Sequence, residues 1–297
     1  MANVIALAKQ FVPVLDEIYK VASLTSKLDG NPDLVQAGAN ANELIVPKLS
    51  MQGLGEYSRN SGYVSGDVTL TNETVSCNFD RGRMFTVDAM DNQETAGIAF
   101  GRLAGEFIRT KVVPELDAFR FATYAGITGI SKATPAALAI GADVIAALRA
   151  AITKMDEDEV PQEDRHLFIT PTLHGLVQDM DTTKSREVLN RFASLTDVPQ
   201  TRFYTAISQY DGSTTGEEAG GYIKDADAGM DINFLIIQKS ALIQYEKHVV
   251  PKIISPDQNQ NADAWKFGYR NVGIADAYEN KVAGIYLHHK PKAQLET

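Results

Sequence analysis

The sequence predicts an α+β fold organised around one long helix, and three features carry that expectation. Apolar residues recur three and four apart between Asp91 and Tyr124. They alternate at period two within Val46 to Asp88, and Trp265 to Ala277 and Val282 to His288 are again strand-like. Between about residues 130 and 260, helical and strand-like stretches follow one another closely, the pattern of a compact mixed α/β domain.

The long helix is the most strongly written element. Asp91 and Glu94 have the spacing of a capping box, in which each side chain satisfies a backbone N–H at the helix start. Phe100, Leu103, Ala104, Phe107, Ile108 and Val112 fall on one face, while Arg102, Glu106 and Arg109 can pair on the other. An unbroken helix to Tyr124 is about 50 Å long at about 1.5 Å per residue. Pro114 lacks a backbone donor and crowds the preceding turn, so a kink or short break is expected near Val113. The helix then resumes through Leu116, Phe119 and Phe121.

Upstream, Val4, Leu7, Phe11, Val14, Leu15, Ile18 and Val21 form one apolar face over residues 4–24, an amphipathic helix. It packs either on its own domain or along a neighbouring subunit as an arm. Asp29 to Asn42 has no periodicity and reads as a loop or tether. From Val46 to Asp88, Val68 and Leu70, then Val75, Cys77 and Phe79, then Phe85 and Val87 alternate, with turn residues at Gly53, Gly55, Asn60, Gly62 and Gly66. That is a long hairpin-like excursion with few apolar residues for its length. A two-stranded ribbon is marginally stable alone in water, so it lies on something, a neighbouring subunit being the expected support; a disordered glycine-rich loop is the alternative.

Downstream, Gly126 to Thr134 turns the chain and Pro135 opens a second helix through Ile152. Its acidic end, MDEDEVPQED, is a solvated charge run rather than a cation site. His166 to Thr170 and Ile232 to Ile237 are short apolar strands, with a helix at Pro171 to Asp179. Ala241 to Tyr245 is expected to continue the sheet, and Tyr210 to Gly229 to be an exposed loop. The two C-terminal strand-like segments should return beside the long helix.

Composition narrows the function. The 297 residues are 44% hydrophobic and 22% charged, enough for a core of ordinary size. A net charge of −10 with no Lys/Arg run argues against a dedicated nucleic-acid binder. One cysteine, Cys77, allows no internal disulfide and suits a reducing compartment. No apolar run reaches membrane-spanning length, and no secretory signal is expected.

Motifs for chemistry are sparse. There is no dinucleotide or phosphate loop, and GYVSG at Gly62 to Gly66 misses the nucleophile-elbow pattern, leaving Ser65 a turn residue. His166, His174, His248, His288 and His289 lack metal-ligand spacing, and adjacent strand residues such as the last two point to opposite faces. Asp225, Asp227 and Asp231 suggest a calcium loop, but Met230 and Ile236 stand where Gly and Glu are required. Cys77 reads as packed rather than nucleophilic. No catalytic, metal or cofactor-binding residue is assigned, and no cofactor is expected. An enzyme hidden in this chain would need His166, His174 and Asp179 to share a pocket.

The order of arm, extended β loop, long helix, α/β domain and returning strands resembles the major capsid proteins of tailed bacteriophages, the Hong Kong 97-type fold. The passages GRMFTVDAMDNQETAGIAFGRLAGEFIRTKVVPELDAFRFATYAG (Gly82 to Gly126) and FGYRNVGIADAYENKVAGIYLHHK (Phe267 to Lys290) carry the resemblance, which is profile-like and covers nearly the whole chain. It implies an N-terminal arm at 1–45, an extended loop at 46–86, a peripheral domain at 87–130 rejoined by 260–297, and an axial domain at 131–259. It implies a coat protein, not an enzyme, that assembles through hexamers and pentamers into an icosahedral shell around double-stranded DNA, held without sequence-specific binding. The implied partners are further copies of the chain, a portal, a scaffolding protein and a decoration protein, with no membrane. The location is the virion capsid, assembled in the host cytoplasm. An encapsulin-type nanocompartment shell is the alternative.

Two departures from better-known relatives matter. Only residues 1–45 precede the extended loop, so a scaffold is expected as a separate protein. From Leu49 to Arg83 there is no lysine, only Arg59, Arg81 and Arg83, and arginine cannot supply the amine for a covalent crosslink, so the expected shell is not crosslinked. Arg59, Asp80, Arg81 and Arg83 on the loop, the acidic run Asp156, Glu157, Asp158 and Glu159, and Phe11 and Ile18 on the arm are the candidate inter-subunit contacts.

Overall fold

The computed structural model describes residues 23–30, 36–37, 43–90, 98–180 and 182–292. The capping box at Asp91 and Glu94 and the amphipathic helix with Phe11 and Ile18 lie outside these residues. Three short strands come first: β1 (Gln36–Ala37), β2 (Glu43–Met51) and β3 (Val68–Ser76). β2 and β3 pair antiparallel from Glu43 opposite Ser76 to Met51 opposite Val68, and β1 adds to the other edge of β2. The expected tether is therefore a strand at Gln36–Ala37. β4 (Phe79–Asp88) leaves this ribbon and joins a different sheet.

The long helix runs as α1 (Ile98–Phe107), one π-helical turn (Ile108–Val112) and α2 (Val113–Gly126). The kink or short break expected near Val113 takes the form of this π-helical turn, which interrupts the α-helical pattern without ending the helix. Val113 N–H bonds back to Ile108 O, a five-residue step, and the widened turn accommodates a proline that has no donor of its own. The helix thus stays continuous through the residue that ordinarily ends one. Ala104, Ile108, Val113 and Leu116 are buried against Phe79, Phe267 and Tyr269, and Arg109 pairs with Glu106 at 2.7 Å on the exposed side.

After the short β5 (Ser131–Lys132) the chain stays extended to Ile140, and α3 (Gly141–Glu157) starts six residues later than Pro135 suggests. The reason is tertiary. Ala133 and Ala136 give their N–H groups to Leu287 O and His289 O at 2.9 and 3.2 Å, and Asn233 Nδ2 donates to Ala136 O at 2.8 Å, so this segment lies along a sheet edge. Gly141 begins the helix where a side chain would not fit: a Cβ there would sit 2.4 Å from Leu176 O.

Then follow β6 (Arg165–Ile169), α4 (Pro171–Met180), α5 (Thr183–Leu189), β7 (Ser194–Asp197), β8 (Ile207–Gln209), β9 (Tyr222–Lys224) and β10 (Ile232–Gln238). α5 is closed by a reciprocal cap between Thr182 and Ser185. The segment expected as open loop, Tyr210 to Gly229, contains β9, which pairs with β8. The last three strands are β11 (Leu242–Ile254), β12 (Ala264–Ala277) and β13 (Ile285–His289).

Two larger sheets organise these strands. The five-stranded sheet has order β5-β13-β10-β6-β7, and the three-stranded sheet has order β11-β12-β4. β10 is buried along its whole length because both faces of its sheet are covered. Phe234 and Ile236 meet Val144, Leu148, Ile152 and Val177 of α3 and α4, while Leu235 and Ile237 meet Phe121 and Tyr124 of α2. One sequence expectation changes here: β11 does not continue the sheet of β10 but crosses into the other one. β13 is an interior strand between β5 and β10, and its Ile285 and Leu287 pack in the same core as Phe121 and Tyr124 of the long helix. β12 does return to the helix, through Phe267 and Tyr269.

Candidate subunit interface

The ribbon of β2 and β3 and its tip at 52–67 expose apolar side chains that nothing in the chain covers among the described residues. Leu54 is fully exposed, Tyr63 is 88% exposed, and Met51, Val64, Val68 and Leu70 are each two-thirds exposed or more. Tyr57 and Tyr63 pack against each other with tilted rings, their centroids 4.9 Å apart. A contiguous exposed apolar surface of this kind marks a contact with another molecule. Arg59 lies exposed on the same tip. Cys77, at the base of the ribbon, is partly buried and packs on Val75, Ile243 and Ile274.

Arg81 and Arg83, on β4, spend their guanidinium groups within the chain. Arg81 Nη2 donates to Tyr210 O at 2.7 Å, and its Nε lies 2.8 Å from Glu115 of α2. Arg83 donates to Ala219 O and Glu218 O at 3.0 and 2.8 Å. Together they hold the 210–221 loop down on the three-stranded sheet. Gly220 makes that possible: its φ is +65°, and a Cβ there would lie 2.7 Å from Arg83 Nη1. Burial pushes the Glu115 carboxyl above its ordinary range, and the charge and hydrogen bond of Arg81 only partly oppose it. Asp80 faces the other side of the sheet and grips Arg270 with two bonds of 2.8 and 2.6 Å.

The acidic run is also partly committed at home. Asp156 binds Arg165 at 2.7 Å and Arg191 at 2.8 Å. Partial burial raises its carboxyl, but the two arginines outweigh that and leave it below the ordinary carboxylate range. Asp158 pairs with Lys154, and Glu157 and Glu159 project into solvent.

A polar cluster on α2 went unread in the sequence. Asp117 is fully buried and accepts from Ser23 Oγ at 3.0 Å, Leu24 N at 3.1 Å and Thr25 Oγ1 at 2.8 Å; Arg202 reaches it at 3.4 Å. Arg120, 2% exposed, donates to Thr25 Oγ1 at 2.9 Å and to Glu246 at 3.0 Å. One turn on, the Tyr124 hydroxyl meets Gln244 Oε1 at 2.5 Å, and burial pushes its pKa up. This cluster straps residues 23–29 to the helix and to β11. Its signal was present: Asp117 and Arg120 interrupt the apolar stretch LDAFRF three residues apart, where a merely amphipathic helix has no use for a charge pair.

The groups considered for chemistry do not converge. His166 Nδ1 meets Ser194 Oγ at 2.7 Å, and His174 pairs with Asp197 at 2.8 Å. Asp225 caps its own turn by accepting from Asp227 and Ala228, and Asp231 binds Lys224 and Lys290. Among the described residues no group of three His, Cys, Asp or Glu side chains could hold a metal ion, and no helix is long and apolar enough to cross a membrane.

No protein-family model and no curated protein matches the sequence. Solved structures do match in fold. The structure of Gordonia phage Cozz aligns with a TM-score of 0.58 at 12% identity, covering 91% of this chain and 86% of that one. The capsid structure of cyanophage P-SCSP1u gives 0.54 at 12% identity over 87% and 86%. A virus-like particle from Pyrococcus furiosus gives 0.54 at 9% identity over 92% and 97%. The fold is therefore that of the Hong Kong 97-type capsid proteins, as the resemblance in sequence order implied.

Proposed function

We propose that this chain is the major capsid protein of a tailed bacteriophage, assembling through hexamers and pentamers into an icosahedral shell around double-stranded DNA. The observation that carries this reading is the ribbon of β2 and β3. In a chain of capsid fold, an apolar ribbon without cover of its own is a surface made for a second copy. The extended loop, peripheral and axial domains then correspond to 46–86, to 87–130 with 260–297, and to 131–259. Arg59, Glu157 and Glu159 are free to reach a neighbour, whereas Arg81, Arg83, Asp80 and Asp156 act first within their own subunit. A portal, a separate scaffold and a decoration protein are the further partners, and the role is structural rather than enzymatic.

The shell is held by non-covalent contacts: the extended loop carries one lysine, Lys48 on β2, and none from Leu49 through its tip to Arg83. Particles run on a denaturing gel give one band; a ladder of linked subunits would refute this point. The likeness to a virus-like particle over 97% of that chain supports a second reading, a nanocompartment shell enclosing protein. Negative-stain electron microscopy of the purified chain, alone and with any scaffold encoded beside it, tests both. Polyhedral particles or capsomer rings support a shell, and nuclease-protected DNA inside particles assembled in cells separates the first reading from the second. A small monodisperse species under all conditions would overturn both.

A further inference from the structure

A cleft of about 1310 Å³ opens between the long helix, the strands β4 and β12, and the 210–221 loop. Phe85, Leu103, Phe107 and Tyr269 give it an apolar lining, and residues 210–212 and 219–221 of the loop form its third wall. That wall is bonded within itself. Asp211 accepts from Ser213 N, Thr214 N and Thr214 Oγ1 at 2.7, 2.8 and 2.6 Å, and the Gly220 N–H donates to Glu217 O at 2.8 Å. Glycines with positive φ stand at its two ends, Gly212 at +76° and Gly221 at +86°, where a side chain would restrict the backbone. A body bonded internally and joined to its frame by two permissive residues can turn as one piece.

Arg81 joins all three walls. It rises from β4, its Nε lies 2.8 Å from Glu115 of α2, and its Nη2 donates to Tyr210 O at 2.7 Å and Gly221 O at 3.4 Å, on both sides of the loop's neck. Directly opposite Arg81 on the paired strand β12 stands Asn271, on the same face of the sheet. Asn271 lines the cleft and is 1% exposed, yet neither amide atom has a hydrogen-bond partner among the described residues. Phe267 and Tyr269, its neighbours along that face, pack on the long helix, so an apolar side chain would suit position 271 better than an idle amide. A buried amide left unpaired is costly, and its presence calls for a partner in some other state of the chain. Residues opposite each other on one face have Cβ atoms about 5 Å apart, so a change of rotamer carries the Arg81 guanidinium to Asn271 Oδ1.

We propose that the 210–221 loop is a hinged lid on the cleft, latched by Arg81, and that Asn271 is the seat to which Arg81 moves when the lid opens. With the lid down, Glu115 holds Arg81 beside the loop's neck and Asn271 goes unpaired. With the lid up, Arg81 gives up Tyr210 O and Gly221 O and donates to Asn271 Oδ1 instead. The open state thereby replaces part of what it breaks. Arg83, bonded to Ala219 O and Glu218 O, is a second catch, and it is exposed, so water takes over its donors on release. Opening bares the aromatic lining of the cleft. The device lies within one chain and does not depend on what a shell encloses.

The test follows amide exchange over residues 212–220 in the full chain. Glu115→Gln removes the charge that keeps Arg81 in the latched position and should speed that exchange about fivefold while β10 stays unchanged. Adding Asn271→Leu removes the alternative seat without breaking a hydrogen bond, and should bring the exchange back to within about twofold of the parent. A loop that is merely loose responds to Glu115→Gln alike with either residue at 271, so equal acceleration in the two backgrounds overturns the proposal. Exchange at the parent rate in Glu115→Gln alone overturns it as well. Asn271→Ala removes the same acceptor and carries the test if leucine disturbs folding. Both readings are made on the unassembled chain, so a failure to form shells leaves them standing.

Discussion

The strap around Asp117 and the ribbon of β2 and β3 sit on the same chain and solve opposite problems. At the strap, charged and polar groups are buried and find their partners within the chain: one carboxylate gathers Ser23, Leu24, Thr25 and Arg202. On the ribbon, apolar groups are exposed and no described residue covers them. The first region is finished as a monomer, whereas the second is left open. Substitutions should therefore separate folding from assembly.

The largest effect belongs to the strap. Asp117→Ala leaves Arg202 without its buried carboxylate and orphans the backbone N–H groups of Leu24 and Thr25, which should cost about 3–5 kcal/mol. Urea unfolding of the soluble chain reads it directly, and a loss below about 1 kcal/mol would mean that the strap is ornamental. Leu54→Asp with Leu70→Asp on the ribbon should do the reverse. Unfolding should stay within about 0.5 kcal/mol of the parent, as for exposed sites generally, while particle formation is lost by electron microscopy.

Protonation gives the next contrast. Burial, with the neighbouring His289, lowers the pKa of His288 to about 4 from an ordinary 6.5. A depressed pKa contributes stability that is present above about pH 6.5 and is lost as pH falls toward 4, because the unfolded chain takes up the proton first. The chain should lose on the order of 2–3 kcal/mol over that interval, and His288→Asn should flatten this limb of the pH profile. Glu115 runs the other way. Its raised pKa stabilises below the ordinary carboxylate range, and that contribution is lost as pH rises. Arg81→Ala removes the opposing cation, so the loss between pH 4 and 7 should grow, while exchange in the 210–221 loop accelerates. An unchanged profile would detach Glu115 from Arg81.

The smallest effect is expected at Gly220. Alanine there meets a left-handed backbone and Arg83, so Gly220→Ala should cost about 1 kcal/mol and loosen the 210–221 loop without touching the five-stranded sheet. Hydrogen exchange resolves the two. Protection lost in β10 as well would show that the loop supports the whole molecule.

What the sequence determined by itself was the periodic and local part. The helical stripe from Leu103 to Leu116, the apolar runs at β6 and β10, the alternation in β3 and β12 and the order of elements were legible because each is fixed by which residues face a core at the period of its own backbone. The exposed ribbon was legible too, as a strand pattern too long for its apolar content. What only the tertiary structure decided was where hydrogen bonds go between distant residues. Pro135 could not open a helix because β13 takes the backbone of Ala133 and Ala136, and β11 changed sheets because its partner lies on β12. Arg81 and Arg83 looked free for a neighbour because nothing local reveals that Tyr210 O and Ala219 O, some 130 residues away in sequence, end beside them. The same holds for Asp117, whose partners come from residues 23–25 and from Arg202. Periodicity is written residue by residue along the chain, but a buried polar bond is shared between two places in it, and only the folded chain shows the pair.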